Sequence, residues 1–257
     1  VAGIQPQARH AAFRQRERLY RELLPTDFRP RQILDVGGTL ATVTFLRERF
    51  PDASITVQNI RAEDLEPISG SNILTRRASA ERLPDNDGSF DLVFLGEVLE
   101  HMIYPNEFLA EAARVLRVGG LILLSTPNLA SWHNRILLAF GYSPSNYSPY
   151  PERHLGLPRP LRGRLGLGYG DHIRVFTFKA LRQLFDEAPW RLLGITAMNC
   201  SDEGHAAARL RRFLEILPAS AREDVFVCAA NDRTLDFHPT GPPVEAGRRG
   251  YVGSVRG

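Results

Sequence analysis

Residues 87–128, DGSFDLVFLGEVLEHMIYPNEFLAEAARVLRVGGLILLSTPN, leave this chain few ways to fold. Phe90 to Leu95 is apolar except at Asp91, and Leu121 to Ser125 repeats the pattern. Runs this short and continuous suit strands buried on both faces. Between them Pro105 suits a first helical turn. Phe108, Leu109, Ala112, Val115 and Leu116 then form one apolar stripe. Gly119-Gly120 read as the cap that ends the helix. Two buried strands joined by a helix make a parallel βαβ unit. Ligands of such open sheets bind at the carboxyl ends of the strands. That singles out Gly96, Glu97, Glu100 and His101 after the first strand, and Thr126 to Asn128 after the second.

The rest of the chain supports the same plan. Residues 9–24 read as an amphipathic helix with Phe13, Tyr20, Leu23 and Leu24 on one face, beside the stem of Arg16. Strands are expected at 32–36, 54–60, 73–76, 191–198 and 224–230. Helices are expected at 39–50, 178–187 and 203–217. Residues 129–171 are dense in Tyr, Pro, Gly, Arg and His, with one apolar helical piece at 132–140. A connection this long suggests a lid or acceptor-binding insertion. The expected organisation is an N-terminal helical cap (1–30), a catalytic domain (31–232) and a disordered tail (233–257).

A chain of 257 residues can bury a large core without disulfides. Cys200 and Cys228 form no CxxC motif and read as core thiols of a reducing compartment. The net charge of +3 comes from basic residues spread along the chain, so no nucleic-acid partner is expected. No apolar run approaches the ~18 residues of a membrane span, and residues 1–30 hold no signal-like segment. A cytoplasmic bacterial protein is the expectation.

The first strand runs into Asp35-Val36-Gly37-Gly38, a turn whose backbone amides can approach a cofactor. The second strand ends near Asn59, where a nucleoside site usually presents a carboxylate to the ribose. Ser79, Ala80 and Glu81 follow the third strand. His101, His154 and His172 are candidate bases. Glu97 and His101, four apart, would share a helix face. Trp132, Tyr142, Tyr147, Tyr150, His154 and Arg174 are candidates for acceptor contacts.

LPDNDGSFDLVFLGEVLEHM, FLAEAARVLRVGGLILLSTPN and the later HIRVFTFKALRQLFDEAPWRL together resemble the class I S-adenosylmethionine-dependent methyltransferases, in the type 11-like subgroup that modifies small molecules and glycans. The likeness covers about residues 31–130. It implies an α/β, Rossmann-like seven-stranded sheet of order 3-2-1-4-5-7-6, the seventh strand antiparallel, with helices on both faces. S-adenosylmethionine would be the cofactor, with no metal. Carried over by position, Asp35, Gly37, Gly38, Asn59, Ser79, Ala80, Glu81, Gly96 and Glu97 bind it. Asn59 and Ser79 depart from the acids usual at those two places. Glu97, His101 and His172 are the catalytic candidates.

The implied activity is methyl transfer to a small or carrier-linked acceptor, such as a sugar or natural-product intermediate. A methyltransferase-like binding or regulatory protein without turnover is the alternative. Asn59→Asp is expected to tighten cofactor binding if Asn59 faces the ribose.

Overall fold

The computed structural model describes residues 6–147, 155–158, 172–187, 189–199 and 216–232, with residues 6–12, 14 and 15 as backbone alone. His154, Tyr150, residues 203–215 of the helix expected at 203–217 and the tail from 233 lie outside the described residues, as does most of 148–171.

Seven strands form one sheet. They are β1 (Gln32–Val36), β2 (Ser54–Asn59), β3 (Ile73–Arg77), β4 (Phe90–Gly96), β5 (Leu116–Pro127), β6 (Trp190–Met198) and β7 (Asp224–Asn231). The order is β3-β2-β1-β4-β5-β7-β6, as the resemblance implied. The first five strands pair in parallel, and β7 runs antiparallel to both β5 and β6. Six helices accompany them among the described residues: α1 (Pro6–Leu23), α2 (Leu40–Arg49), α3 (Ala62–Leu65), α4 (Pro105–Val115), α5 (Trp132–Ala139) and α6 (Phe178–Phe185).

Alternation along the strands sorts the core into two layers. Leu34, Val93, Leu95, Ile122 and Leu124 point to the face covered by Phe108, Leu109 and Ala112 of α4 and by Leu181 and Phe185 of α6. Ile33, Leu92, Phe94, Leu121 and Leu123 point to the opposite face, under Val43, Phe45 and Leu46 of α2 and Phe13 and Tyr20 of α1. Tyr20 is fully buried there, its ring 4.9 Å from Phe94 and 5.2 Å from Phe226.

Two local expectations fail. Gly119-Gly120 do not cap α4, which ends at Val115 and passes directly into β5. Phe90 faces Leu116 and Leu92 faces Leu121, so β5 carries its extra residues as a bulge. Gly119, at φ +78°, makes that bulge possible. Likewise, Glu97 and His101 do not share a helix face. Glu97 sits outside any helix at φ +58°, and only a 3-10 turn at Leu99–His101 follows.

Candidate functional site

A cavity of about 560 Å3 opens where β1, β2 and β4 end. Of the residues expected to bind a cofactor, Gly37, Asn59, Ser79, Ala80, Glu81 and Glu97 line it, and so does the candidate base His101.

The glycine turn is built by contact as much as by conformation. Gly37 has φ +70°, and a Cβ there would lie 2.4 Å from Val98 Cγ2. A Cβ on Gly38 would lie 2.4 Å from Val57 Cγ1 and 2.6 Å from Asp35 Oδ2. Both amides donate to the Gln58 carbonyl, at 2.7 and 3.3 Å, which locks the turn across β2. Asp35 supports the turn from beneath and does not line the cavity. Thr42 Oγ1 lies 2.5 Å from Asp35 Oδ2, while Oδ1 is buried and receives no hydrogen bond from the described residues. Burial pushes this carboxyl up to about 8, against the Thr42 hydrogen bond.

At the end of β2, Asn59 is buried and its amide is engaged by its own chain. Nδ2 donates to the Gly38 carbonyl at 2.9 Å and approaches Asp64 Oδ2 at 3.4 Å. Oδ1 accepts from the Arg61 amide at 3.0 Å. Asp64, on the one-turn helix α3, also lines the cavity and was not singled out from the sequence. Beyond β3, Ser79 gives its carbonyl to Gln58 Nε2 at 2.7 Å. Glu81 Oε1 accepts from the amides of Ile103 and Tyr104, at 2.9 and 3.1 Å, tying this wall to the segment after β4.

Glu97 occupies the left-handed region, at a cost of about 1–3 kcal/mol for a residue other than glycine. Its surroundings hold it there. Tyr20 donates to Ser125 Oγ at 2.7 Å, and Ser125 donates on to Glu97 Oε1 at 2.5 Å. Arg16 of α1 reaches Glu97 Oε2 at 3.3 Å and Asp224 Oδ2 at 2.8 Å. Burial raises the Glu97 carboxyl to about 7, opposed by Arg16 and reinforced by Asp224. Gly96 gives room to this helix instead of to the cavity, since a Cβ there would lie 3.0 Å from the Tyr20 hydroxyl.

His101 and His172 come together although 71 residues separate them. The amides of Ile173 and Arg174 donate to the Glu100 carbonyl at 2.7 and 3.0 Å, docking that segment on the 3-10 turn. The two imidazoles meet edge to face at 4.7 Å. Behind them Glu100 is buried, with Oε2 accepting from Thr126 Oγ1 at 3.0 Å and Oε1 receiving no hydrogen bond from the described residues. Glu100 Oε1 stands 3.9 Å from His101 Nε2 and 4.0 Å from His172 Nε2. Burial, then the nearby Glu97 charge, hold the Glu100 carboxyl well above the usual carboxylate range. Among the described residues these three side chains are the group that could hold a metal ion, with ligand atoms within 4.8 Å of one another. Two bonds of about 2.1 Å span at most about 4.2 Å, so a set spread to that width closes on a cation only by moving inward.

The remaining candidates lie apart from the cavity wall. Trp132, Tyr142 and Tyr147 belong to the segment after β5, with Tyr142 and Tyr147 exposed. Arg174 is exposed, its Nε 3.4 Å from the Ile103 carbonyl. Asn146 and Asn134 hold this segment to the end of β5 through the Asn128 carbonyl, at 3.1 and 3.5 Å.

Residues 34–124 match the family model described as "Methyltransferase domain". A ubiquinone biosynthesis O-methyltransferase of Caulobacter sp. (strain K31) is 34% identical over 109 residues, 40% of this chain and 43% of that protein. A malonyl-[acyl-carrier protein] O-methyltransferase of Geobacter sulfurreducens is 36% identical over 112 residues, 41% of this chain and 42% of that protein. The chain thus spans less than half of these curated relatives. Among solved structures, an S-adenosylmethionine-dependent methyltransferase from Mesorhizobium loti superposes with a TM-score of 0.55 at 18% identity, covering 83% of this chain and 96% of that one. The cavity fits the implied cofactor in its donor set: Asn59 and Asp64 stand at the end of β2, and Glu97 and His101 after β4, so polar groups line both ends. Residues 34–124 belong to the class I S-adenosylmethionine-dependent methyltransferases, and S-adenosylmethionine is the cofactor of this domain.

Proposed function

We propose that the protein methylates an oxygen of a small or carrier-linked acceptor with S-adenosylmethionine as donor. The observation that carries this reading is His101 on the cavity wall, backed by Glu100 and His172. When bound, the cofactor supplies an electrophilic sulfonium methyl. A hydroxyl acceptor must then lose a proton, and a positioned base speeds that loss by roughly 10²–10⁴-fold. His101 takes this proton. Glu100 Oε1 stands behind it, 3.9 Å from His101 Nε2 and 4.0 Å from His172 Nε2.

The relatives named above carry O-methylation in their names, one on an acyl carrier protein. Ile103 and Ile173 line the same cavity and are 50% and 44% exposed, a rim suited to an acceptor with an apolar body. Trp132, Tyr142 and Tyr147 supply a further aromatic wall when the segment after β5 meets the acceptor. Alignment of acceptor and methyl supplies most of the remaining rate.

The test is transfer of labelled methyl from S-adenosylmethionine to a panel of phenols, sugars and malonyl thioesters. Product with the parent and a loss of about a hundredfold or more in His101→Asn, with S-adenosylhomocysteine affinity kept, are expected. A His101→Asn protein as active as the parent contradicts the role given to His101. The second reading, a binding protein without turnover, draws on Asn59, whose amide is engaged by Gly38 and Arg61. Any methylated product in that screen rules it out.

A further inference from the structure

We propose that Asn134 is a positioning residue for the base of this site: by fixing Asn146 it holds the ring hydrogen of His172 on Nδ1 and so keeps Glu100 for His101. This role presupposes His101 as the base. It reaches the cavity from behind, since neither Asn134 nor Asn146 lines it.

Asn134 lies on α5 and is fully buried. Groups with only one possible role fix the way its amide points. Oδ1 accepts from the Ser145 backbone amide at 2.7 Å and from the Ser145 hydroxyl at 3.0 Å. A backbone N–H can only donate, so the oxygen must lie on that side. Nδ2 then faces the Leu129 carbonyl at 3.0 Å and Asn146 Oδ1 at 2.8 Å, which uses both of its hydrogens. Asn146 is buried too, and its own Nδ2 donates to the Asn128 carbonyl at 3.1 Å. One short amide therefore grips residues 145 and 146 through backbone and side chain, and ties them to the end of β5. An aspartate at 134 would set acceptor against acceptor at Leu129 and Asn146. An aliphatic residue would leave the Ser145 amide without that acceptor.

The carbonyl held in this way receives His172 Nδ1 at 2.9 Å. In a neutral imidazole the hydrogen bond made by one nitrogen decides which nitrogen keeps the lone pair. A hydrogen on His172 Nε2 would instead compete for Glu100 Oε1, which stands 4.0 Å from that nitrogen and 3.9 Å from His101 Nε2. With the hydrogen on Nδ1 the competition is absent, and Glu100 can stabilise the proton that His101 takes up. Asn134 thus acts on His101 through Asn146 and His172, whose ring meets His101 edge to face at 4.7 Å.

Nitrogen-15 spectra of the full chain with labelled histidine, without ligand and at a pH where the ring is neutral, test this. A ring nitrogen that bears hydrogen and one that bears a lone pair differ in shift. Signals lost in His172→Phe belong to His172. In the parent, Nδ1 should carry the hydrogen. In Asn134→Ala and in Asn146→Ala the share on Nε2 should rise roughly threefold to tenfold, the effect of weakening one neutral hydrogen bond. Ser145→Ala is the control. It removes hydroxyl contacts with Asn134 and His133 but keeps the residue 145 amide and the bond from Asn134 to Asn146, so the parent tautomer should persist. With an acceptor in hand, kcat of Asn134→Ala should fall about tenfold while KM for S-adenosylmethionine stays within about threefold.

A parent whose hydrogen sits on Nε2 overturns the proposal without any variant. An unchanged tautomer in folded Asn134→Ala or Asn146→Ala also overturns it, as does an equal shift in Ser145→Ala, the mark of general loosening. Circular dichroism shows which variants fold, and Asn146→Ala with the parent spectrum decides the matter where Asn134→Ala does not. If no acceptor is methylated the proposed function fails, while the spectra still decide the role of Asn134.

Discussion

The Nδ1 of His172 stands 2.9 Å from the carbonyl oxygen of Asn146. A carbonyl can only accept, so Nδ1 carries the hydrogen and the lone pair of the neutral ring lies on Nε2, towards Glu100. One backbone carbonyl in the segment after β5 thereby sets the tautomer of a histidine that is edge-on to His101.

Replacing that ring should therefore separate turnover from cofactor binding. His172→Phe is expected to lower methyl transfer about tenfold or more, while S-adenosylhomocysteine binds within threefold of the parent. Removing the Asn146 bond should cost about 1 kcal/mol of stability. Initial rates set beside calorimetry check this. A parallel fall in affinity would assign His172 to the cofactor instead.

Stability should fall as pH rises from about 5 to 8.5. Asp35 and Glu97 have their carboxyls raised to about 8 and about 7, and Glu100 is raised as well. Each keeps a proton in the folded state that the unfolded chain has already released. The stability this gives is fully present below the unfolded carboxylate pKa, and is lost as pH passes through the folded value. Urea midpoints at pH 5, 7 and 8.5 measure the slope. Asp35→Asn, which cannot titrate, should flatten its upper part. A midpoint that climbs with pH contradicts these shifts.

Arg16 should matter far more than a surface arginine. Its guanidinium bridges Glu97 and Asp224, and the three side chains are 19%, 22% and 9% exposed. Arg16→Ala leaves two carboxylates facing each other without their cation, and is expected to cost about 2–3 kcal/mol. Adding Glu97→Gln should recover part of that loss, a coupling that a double-mutant cycle in urea reads directly. Additive losses would mean that Arg16 acts through packing alone.

Gly38→Ala places a methyl within 2.4 Å of Val57 Cγ1 and 2.6 Å of Asp35 Oδ2. The turn must shift to admit it, and S-adenosylhomocysteine affinity should drop tenfold or more. Fluorescence-detected melting with and without ligand reports both fold and binding. A ligand-induced rise equal to the parent's would place the cofactor away from this turn.

The strands of this fold are legible in the sequence because parallel strands buried on both faces leave continuous apolar runs. Sheet order came from the family likeness, not from those runs. Gly119-Gly120 misled because a left-handed glycine serves a helix cap and a strand bulge alike, and only the pairing of Phe90 with Leu116 separates them. α3, at four residues, is too short to show periodicity, so no pattern in the sequence marks Asp64 five residues past Asn59. His101 and His172 were both readable as candidates. Their meeting was not, because it depends on backbone bonds from Ile173 and Arg174 to Glu100. Arg16 did leave a signal. It lies between Phe13 and Tyr20 at helical spacing, on the face that packs inward, where an arginine needs acidic partners.

The cavity over Gly37 is the proposed seat of S-adenosylmethionine. Titration calorimetry with S-adenosylhomocysteine measures it without knowledge of the acceptor. One saturable site per chain is expected, weakened by Gly38→Ala and accompanied by a rise in melting temperature that grows with ligand concentration. Neither heat nor any rise in melting temperature at saturating ligand would contradict it.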